Sequence, residues 1–189
     1  MSFELLLREY TALKAEQSNR IGFRDNLMYV NMLAVGAVFS FSIAHPNHAH
    51  SLLVIPWICT ILGWNYLVND QHISRLGKFF RTDMKPRIRF RFPPTILGSF
   101  NWEPFHRADE WRKTRKWTQV FVDELTFIVP AAVALIFFLV SNKHPALIVL
   151  WILEFVMMVM FAIKIWAVAD VMNTKDDGVD PVPPDADAI

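Results

Sequence analysis

Four long apolar runs, nearly free of charged residues, limit what this chain can fold into. They extend over residues 27–44, 52–68, 120–140 and 146–169. Each run has roughly 17 to 24 residues, and a helix that rises ~1.5 Å per residue needs about 20 of them to cross a hydrocarbon core of ~30 Å. Apolar residues form 53% of the chain and charged residues 20%, a balance that also favours a membrane protein. The sequence therefore predicts an all-α integral membrane protein with four transmembrane helices.

Lysine and arginine are distributed unevenly around these runs. Four precede the first run, none lies between the first two, twelve lie between the second and the third, and one lies between the third and the fourth. Because cytoplasmic loops of membrane proteins carry an excess of basic residues, both termini and the long basic loop are predicted to be cytoplasmic. The two outer connections are then very short, so the four helices form two hairpins.

The polar segments around the runs complete a plan of five regions. Residues 1–26 are expected to form a cytoplasmic amphipathic helix, and residues 27–70 the first transmembrane hairpin. Residues 71–118 are the basic cytoplasmic loop region, and residues 119–170 form the second hairpin. Residues 171–189 are rich in proline and aspartate, which predicts a disordered acidic tail.

The cytoplasmic regions have recognisable local patterns. The first region places Phe3, Leu6, Leu7, Tyr10 and Leu13 on one helical stripe, and its helix either lies on the inner membrane surface or packs against the basic loop. The helix of the second run is predicted to project into the cytoplasm until Pro86 ends it. Residues 87–92 then alternate between arginine and apolar residues, the period of an extended segment. A basic, aromatic helix over residues 102–118 leads into the third run.

The basic loop supplies the candidate ligand-binding residues. They are Arg87, Arg89, Arg91, Arg112, Lys113, Arg115 and Lys116. Their interleaving with aromatic residues suits a phosphate backbone with stacked bases, and equally suits anionic lipid headgroups. Topology alone also explains a basic loop. A further hypothesis is that the acidic tail folds onto this loop and occupies it.

Five polar residues inside the runs are the candidate intramembrane site. They are Glu154, Lys164, Asp123, Asn31 and Asn65. An ionisable group in a span costs about 2.5 to 3.5 kcal/mol, so each needs a partner, water or a short reach to the interface. All except Glu154 are predicted in the cytoplasmic half of their helices, where they form a polar layer with an Asp123–Lys164 ion pair. The alternative is that this layer only holds helices together and that Lys164 extends to the headgroups.

Glu154 is predicted close to the midpoint of its helix, too deep to reach the interface. In an oligomer it would contribute to a ring of carboxylates that lines a pore and favours cations. The alternative is a protonated or hydrogen-bonded acid between helices.

Small residues and prolines indicate how the helices pack. Gly36, Ser40 and Ala44 recur every four residues in the first run, a seam that lets another helix approach closely. Pro56 and Pro130 are expected to kink their helices, provided that neighbouring groups satisfy the carbonyl that each frees.

The sequence contains no motif that indicates an enzyme, a cofactor or a metal site. It lacks a phosphate-binding glycine loop, a nucleophile elbow and a pair of cysteines. Three histidines at positions 45, 48 and 50 are interpreted as part of a solvated loop rather than as metal ligands. Asp70 and His72 could serve acid–base chemistry with Asp123 or Glu124. We nevertheless expect a protein that is not an enzyme.

Two segments carry a resemblance to known proteins. Residues 20–26, with the sequence RIGFRDN, and residues 63–70, with the sequence GWNYLVND, resemble segments of a bacterial family of small four-span integral membrane proteins. In overall plan the chain is similar to membrane channel effectors of antiphage defence, of the Hailong type, which are paired with a nucleotidyltransferase. The resemblance covers the plan of most of the chain and assigns no individual ligand position.

The resemblance implies a homo-oligomeric channel, expected to be a tetramer, in the bacterial inner membrane. A nucleotide or oligonucleotide made by a cytosolic nucleotidyltransferase would bind the cytoplasmic region and open it. Four spans enclose too little volume for a wide pore, so a conduit would form between protomers. The alternative is a non-conducting membrane anchor or scaffold for a cytosolic partner. A small transporter is less favoured because the sequence has no evident inverted repeat.

Overall fold

The structure is a computed structural model, and it describes residues 3–84, 86–87, 112–141 and 145–169. These residues are almost entirely helical, and no strand occurs among them. The α-helices are α1 (Phe3–Ala44), α2 (Val54–Phe79), α3 (Arg112–Asp123), α4 (Val129–Ser141) and α5 (Pro145–Ala169). A 3-10 helix, Pro46–Leu53, joins α1 to α2. Two π-helical turns follow, Phe80–Met84 after α2 and Glu124–Ile128 between α3 and α4.

Four helical stretches of the described chain are long and apolar enough to cross a membrane. They are Glu4–Ala44, Pro46–Met84, Trp117–Val140 and Leu147–Val168, and we call their apolar parts spans 1 to 4. Each overlaps one of the four runs, so the predicted all-α fold with four such helices is confirmed for the described residues. The end of the bundle that carries the 3-10 helix is called the outer end, and the opposite end the inner end.

Span 2 is the centre of the bundle, because α2 contacts α1, α4 and α5. Two clusters of buried apolar side chains fill the space between the spans. The outer cluster consists of Val35, Leu52, Leu53, Ile55, Cys59, Ala131, Ala134, Leu135, Phe138 and Met158. The inner cluster consists of Leu27, Tyr66, Leu67, Val120, Phe127, Phe161 and Ile165. Large apolar side chains also cover the outside of the spans, with Leu33 74% and Ile43 78% exposed. A soluble protein rarely exposes such a continuous apolar surface.

The predicted N-terminal amphipathic helix is the first half of α1 and has no break from span 1. It packs against the end of α2, where Leu6, Phe80 and Met84 are buried together. The Lys14 ammonium group lies 4.3 Å from the centre of the Phe80 ring. The helix therefore packs against the start of the basic loop region, one of the two arrangements expected for it. We call residues 3–26 with residues 69–84 the inner hairpin.

Three expectations about helix ends are corrected or limited by the structure. Pro86 and Arg87 are helical, and Arg87 Nη2 bonds to Asp83 Oδ1 at 3.0 Å, a pair that helical four-residue spacing brings together. The predicted extended segment is therefore wrong at Arg87, while residues 88–92 lie outside the described residues.

Pro56 does not interrupt span 2, because it is in the first turn of α2, where no amide hydrogen is needed. The helix before span 3 is confirmed from Arg112 onward.

Candidate functional site

The inner end of the bundle is tied together by two arginines of α1 and two polar residues of α2. Asn69 Nδ2 donates to the Arg20 backbone carbonyl. Arg24 Nη1 donates to Asp70 Oδ1 at 2.9 Å, in an ion pair whose side chains are 23% and 32% exposed. Burial alone would lower the pKa of the Arg24 guanidinium, but its hydrogen bonds to Asp70 and Asp25 outweigh burial and raise the pKa. The two segments that carry the family resemblance, residues 20–26 and 63–70, thus contact each other here.

A second polar group lies just above this junction, between spans 2 and 3. The Gln119 amide donates to the Tyr66 hydroxyl oxygen and, at 2.9 Å, to Asp123 Oδ1. Tyr66 is 1% and Asp123 6% exposed. The hydrogen bond from Gln119 lowers the cost of burying the Asp123 carboxyl group.

Asn31 satisfies a carbonyl that Pro130 leaves without a donor. Pro130 has no amide hydrogen for the Thr126 carbonyl four residues earlier, and its ring would crowd that carbonyl in a regular helix. The π-helical turn Glu124–Ile128 widens the helix just before Pro130. Asn31 Nδ2, from span 1, donates to the Thr126 carbonyl at 2.8 Å and is itself 0% exposed. The neighbouring donor that Pro130 was predicted to require is therefore Asn31.

Glu154 lies inside the protomer, between spans 4 and 2. Its side chain is 0% exposed, and Trp57 Nε1 donates to its Oε1 at 2.9 Å. Its other oxygen, Oε2, is buried and has no hydrogen-bond partner. Among the described residues, no cation forms an ion pair with Glu154. Of the two interpretations of Glu154, this geometry favours the hydrogen-bonded acid between helices.

Spans 2 and 4 approach each other closely at Gly63. A Cβ atom built at Gly63 would overlap the Phe161 ring, reaching 2.7 Å from its Cε1 atom. Gly36, at the start of the predicted seam, has nothing within 4 Å of such an atom, and Ser40 and Ala44 are exposed as well. The seam of span 1 is therefore not used within the protomer, and the close helix approach is at Gly63.

The predicted polar layer is only half assembled. Asn31 and Asp123 are buried in the bundle, whereas Asn65 and Lys164 lie on its exposed surface. Asn65 Nδ2 donates within its own helix, to the Ile61 carbonyl. The Asp123–Lys164 ion pair is wrong, because the core positions of α5 at this level are taken by Phe161 and Ile165, which turn Lys164 outward. Asp123 instead accepts a hydrogen bond from the Gln119 amide.

The predicted ligand-binding residues of the basic loop are described only in part. Arg87 forms an ion pair with Asp83 at the tip of the inner hairpin. Arg89 and Arg91 lie outside the described residues. The other four are in α3, and the structure describes their backbone but not their side chains; they are Arg112, Lys113, Arg115 and Lys116. Ligand binding by this group stays a prediction.

Sequence reasoning missed four contributors to these contacts. Trp57 and Tyr66 gave no signal, because their partners are distant in sequence. Gln119 precedes Asp123 by one helical turn, a spacing at which an amide can reach a carboxylate. Thr126 precedes Pro130 by four residues, so the freed carbonyl was identifiable from the sequence, although its donor was not.

The three histidines lie together at the outer end, with His45 just before the 3-10 helix and His48 and His50 within it. The rings of His45 and His48 are 6.1 Å apart, and those of His48 and His50 are 5.5 Å apart. Within the described part of the chain, no group of three or more metal-ligating side chains is arranged to hold an ion. Asp70, considered above for acid–base chemistry, is held in the ion pair with Arg24.

Comparison of the chain with protein-family models, with curated proteins and with solved structures finds no match. The functional argument therefore rests on the residues and contacts described above.

Proposed function

We propose that this chain is a multi-pass protein of the bacterial inner membrane that acts as a homo-oligomeric channel or pore-forming effector. In this proposal the inner end faces the cytoplasm, and the basic loop region receives the controlling signal. The resemblance to antiphage effectors suggests a nucleotide or oligonucleotide as that signal, supplied by a cytosolic nucleotidyltransferase. A tetramer is the expected assembly.

The observation that carries the proposal is the continuity of α1. One helix of 42 residues extends from the tip of the inner hairpin to the outer end of span 1. It is fixed to α2 by Arg24 and Asp70 where the hairpin meets the spans. A force applied to the hairpin or to the adjoining basic loop would therefore move span 1 directly, as a ligand-gated channel requires.

The exposed polar side chains of the spans support assembly into an oligomer. Lys164 lies on the outer surface of span 4 and has no ion-pair partner among the described residues. Hydrocarbon around a lysine costs about 3 kcal/mol unless the ammonium reaches headgroups or water. A water-filled conduit between protomers would accommodate Lys164 and the exposed amide of Asn65.

The position of Glu154 changes the expected selectivity of such a conduit. Glu154 is enclosed within each protomer, so protomers packed in this conformation would present Lys164 to the conduit. A ring of lysines favours anions. We therefore expect Lys164→Gln to shift the reversal potential in a salt gradient more than Glu154→Gln does. A larger shift for Glu154→Gln than for Lys164→Gln would indicate that Glu154 lines the pore after a rearrangement of span 4.

The second candidate function is a non-conducting anchor or scaffold. It is favoured by the packing of the protomer, because the outer and inner clusters fill the interior of the bundle with buried apolar side chains. The inner hairpin and the basic loop would then dock a cytosolic partner.

Recording from the purified protein in planar bilayers separates the two functions. Nucleoside triphosphates and short single-stranded oligonucleotides, applied to the side of the inner hairpin, are the probes. The channel proposal predicts current steps that depend on at least one probe. A complete absence of current, with the protein present as an oligomer, would leave the scaffold function.

A matched pair of variants at Gly22 tests the mechanical coupling. Gly22 is exposed, has open space around it and lies in α1 just below the Arg24–Asp70 ion pair. Gly22→Pro should break α1 there and abolish probe-dependent opening, because proline removes a helical hydrogen bond. Gly22→Ala should retain opening, since alanine favours the helix. Equal opening in both variants would exclude control through α1.

A further inference from the structure

The Glu154 carboxyl is a buried titratable group that the channel proposal leaves unused. It has one hydrogen-bond donor, the Trp57 indole, and that donor serves Oε1. Oε2 is buried without a partner. The basic residue of the same helix, Lys164, is ten residues away, ~15 Å along the helix axis. Among the described residues, Glu154 therefore has neither the cation nor the second donor that an ionised carboxylate needs in an apolar interior.

The two protonation states of this carboxyl fit the site unequally. An ionised Glu154 would leave a full share of negative charge on Oε2, which is buried and has no hydrogen-bond partner among the described residues. A protonated Glu154 carries no net charge, and its carbonyl oxygen can still accept from Trp57. Because Oε1 is the acceptor in this hydrogen bond, the proton belongs on Oε2.

Trp57 connects the buried carboxyl with the surface of the bundle. It is 39% exposed, and its N–H donates to Glu154. In a membrane, the exposed part of its ring would face lipid. Among the described residues, Trp57 is the one side chain that hydrogen-bonds Glu154, so movement of its ring would release the carboxyl from that bond.

We propose that Glu154 is an intramembrane proton-binding site, one per protomer, which carries its proton on Oε2 and is reached from the lipid phase past Trp57. The site goes beyond the channel function, because it requires only that span 4 is embedded in a membrane. A protein that conducts no ions would still have it.

An apolar carbodiimide tests the site directly in the unmodified chain. Dicyclohexylcarbodiimide partitions into lipid and reacts with protonated carboxyls. The acid proton moves to a carbodiimide nitrogen, the carboxyl oxygen bonds to the central carbon, and acyl migration to nitrogen leaves a stable N-acylurea with no leaving group. Mass mapping of protein reconstituted in phosphatidylcholine vesicles should place the adduct on Glu154. A water-soluble carbodiimide should not label Glu154 but should label carboxyls of the inner hairpin such as Glu4, which is 72% exposed.

Absence of the apolar adduct at Glu154, or equal labelling by both reagents, would overturn the proposal. Infrared spectroscopy provides an independent measurement of the protonation state. The difference between the unmodified chain and Glu154→Gln should contain the carbonyl band of a protonated carboxyl, since glutamine preserves the shape and the acceptor for Trp57. Carboxylate bands in that difference spectrum would show that Glu154 is ionised, and would contradict the proposal.

Two tryptophan variants test the route of access. Trp57→Phe keeps an aromatic ring, removes the N–H donor and should increase the rate of labelling at Glu154. Trp64→Phe is the matched control, because Trp64 is a 50% exposed tryptophan of the same helix. Its labelling rate should equal that of the unmodified chain. Equal rates in the two variants would exclude access past Trp57.

Discussion

The contact between spans 2 and 4 and the outer face of span 1 use the same kinds of residue in opposite ways. At the contact, Gly63 lets the Phe161 ring approach its backbone. The same two helices also bury the Glu154 carboxyl, which accepts a hydrogen bond from Trp57. On the outer face, Gly36 is open and Ser40 is exposed. A glycine in an apolar helix therefore does not by itself indicate a close helix contact. What decides is whether an aromatic ring from another helix occupies the space.

Replacement of the two glycines by leucine should give the largest difference. Gly63→Leu forces a side chain into the space of Phe161 and should lower the free energy of unfolding by about 3 kcal/mol, because overpacking displaces buried groups. Gly36→Leu places the same side chain in open space and should leave stability unchanged. Thermal unfolding in detergent, followed by size-exclusion chromatography, measures both. Equal losses would contradict the assigned helix contact.

The inward face of span 1 offers a second comparison, through Asn31 and Pro130. Asn31→Leu removes the donor to the buried Thr126 carbonyl and should cost about 2 kcal/mol of stability, the penalty of an unsatisfied polar group. Pro130→Ala restores an amide hydrogen near that carbonyl, so Asn31→Leu should cost clearly less in the Pro130→Ala background. A double-mutant cycle measures this coupling. Additive effects would show that the contribution of Asn31 to stability does not depend on Pro130.

Two tryptophans of span 2 provide a third comparison, in which the expected loss of stability is smaller. Trp57→Phe removes the hydrogen bond to Glu154 and should lower stability by about 1 kcal/mol. Trp64→Phe lies on the exposed surface and should have no measurable effect. Chemical denaturation in mixed micelles is the measurement. A larger loss at Trp64 would place that residue in an interface between protomers.

The Arg24–Asp70 ion pair at the base of the inner hairpin should contribute least to stability. Arg24→Met should lower stability by at most about 1 kcal/mol, because both partners remain partly exposed to solvent. Arg8→Met is the control, since the Arg8–Glu4 pair is exposed on both sides. A loss at Arg24 that persists in high salt would indicate packing of its stem rather than charge pairing.

The sequence was sufficient to predict where the apolar helices lie in the chain. It was insufficient to predict which of their side chains contact each other. Length and low charge located all four apolar helices, because crossing a membrane sets a minimum length that residues 27–44 or 146–169 meet by themselves. The cost of leaving polar groups in lipid predicted that Asn31, Asp123 and Glu154 need a partner or water, but it predicted the same of Asn65 and Lys164, which are exposed. These predictions do not require knowledge of which side chains are neighbours in space.

Inside the spans, the wrong or missed contacts concern which helix faces which. Lys164 was paired with Asp123 by depth alone, whereas the rotation of α5 turns Lys164 outward and Asp123 accepts a hydrogen bond from Gln119. Trp57 was not connected with Glu154, because 97 residues separate them in the chain. The small-residue seam of span 1 is open within the protomer, where Gly63 makes the close approach. Depth can be counted along a sequence, but rotation about a helix axis depends on the packed partners.

Labelling of single cysteines tests the central claim, that the spans cross a membrane with the inner hairpin on the cytoplasmic side. Cys59, the one native cysteine, is buried and is replaced by alanine as the background. Cysteine is then introduced at Asn47, in the outer 3-10 helix, or at Ser18, in the inner hairpin, both exposed positions. In intact spheroplasts, a membrane-impermeant maleimide should label Asn47→Cys, and should label Ser18→Cys only after lysis. Labelling of Ser18→Cys before lysis would contradict the account.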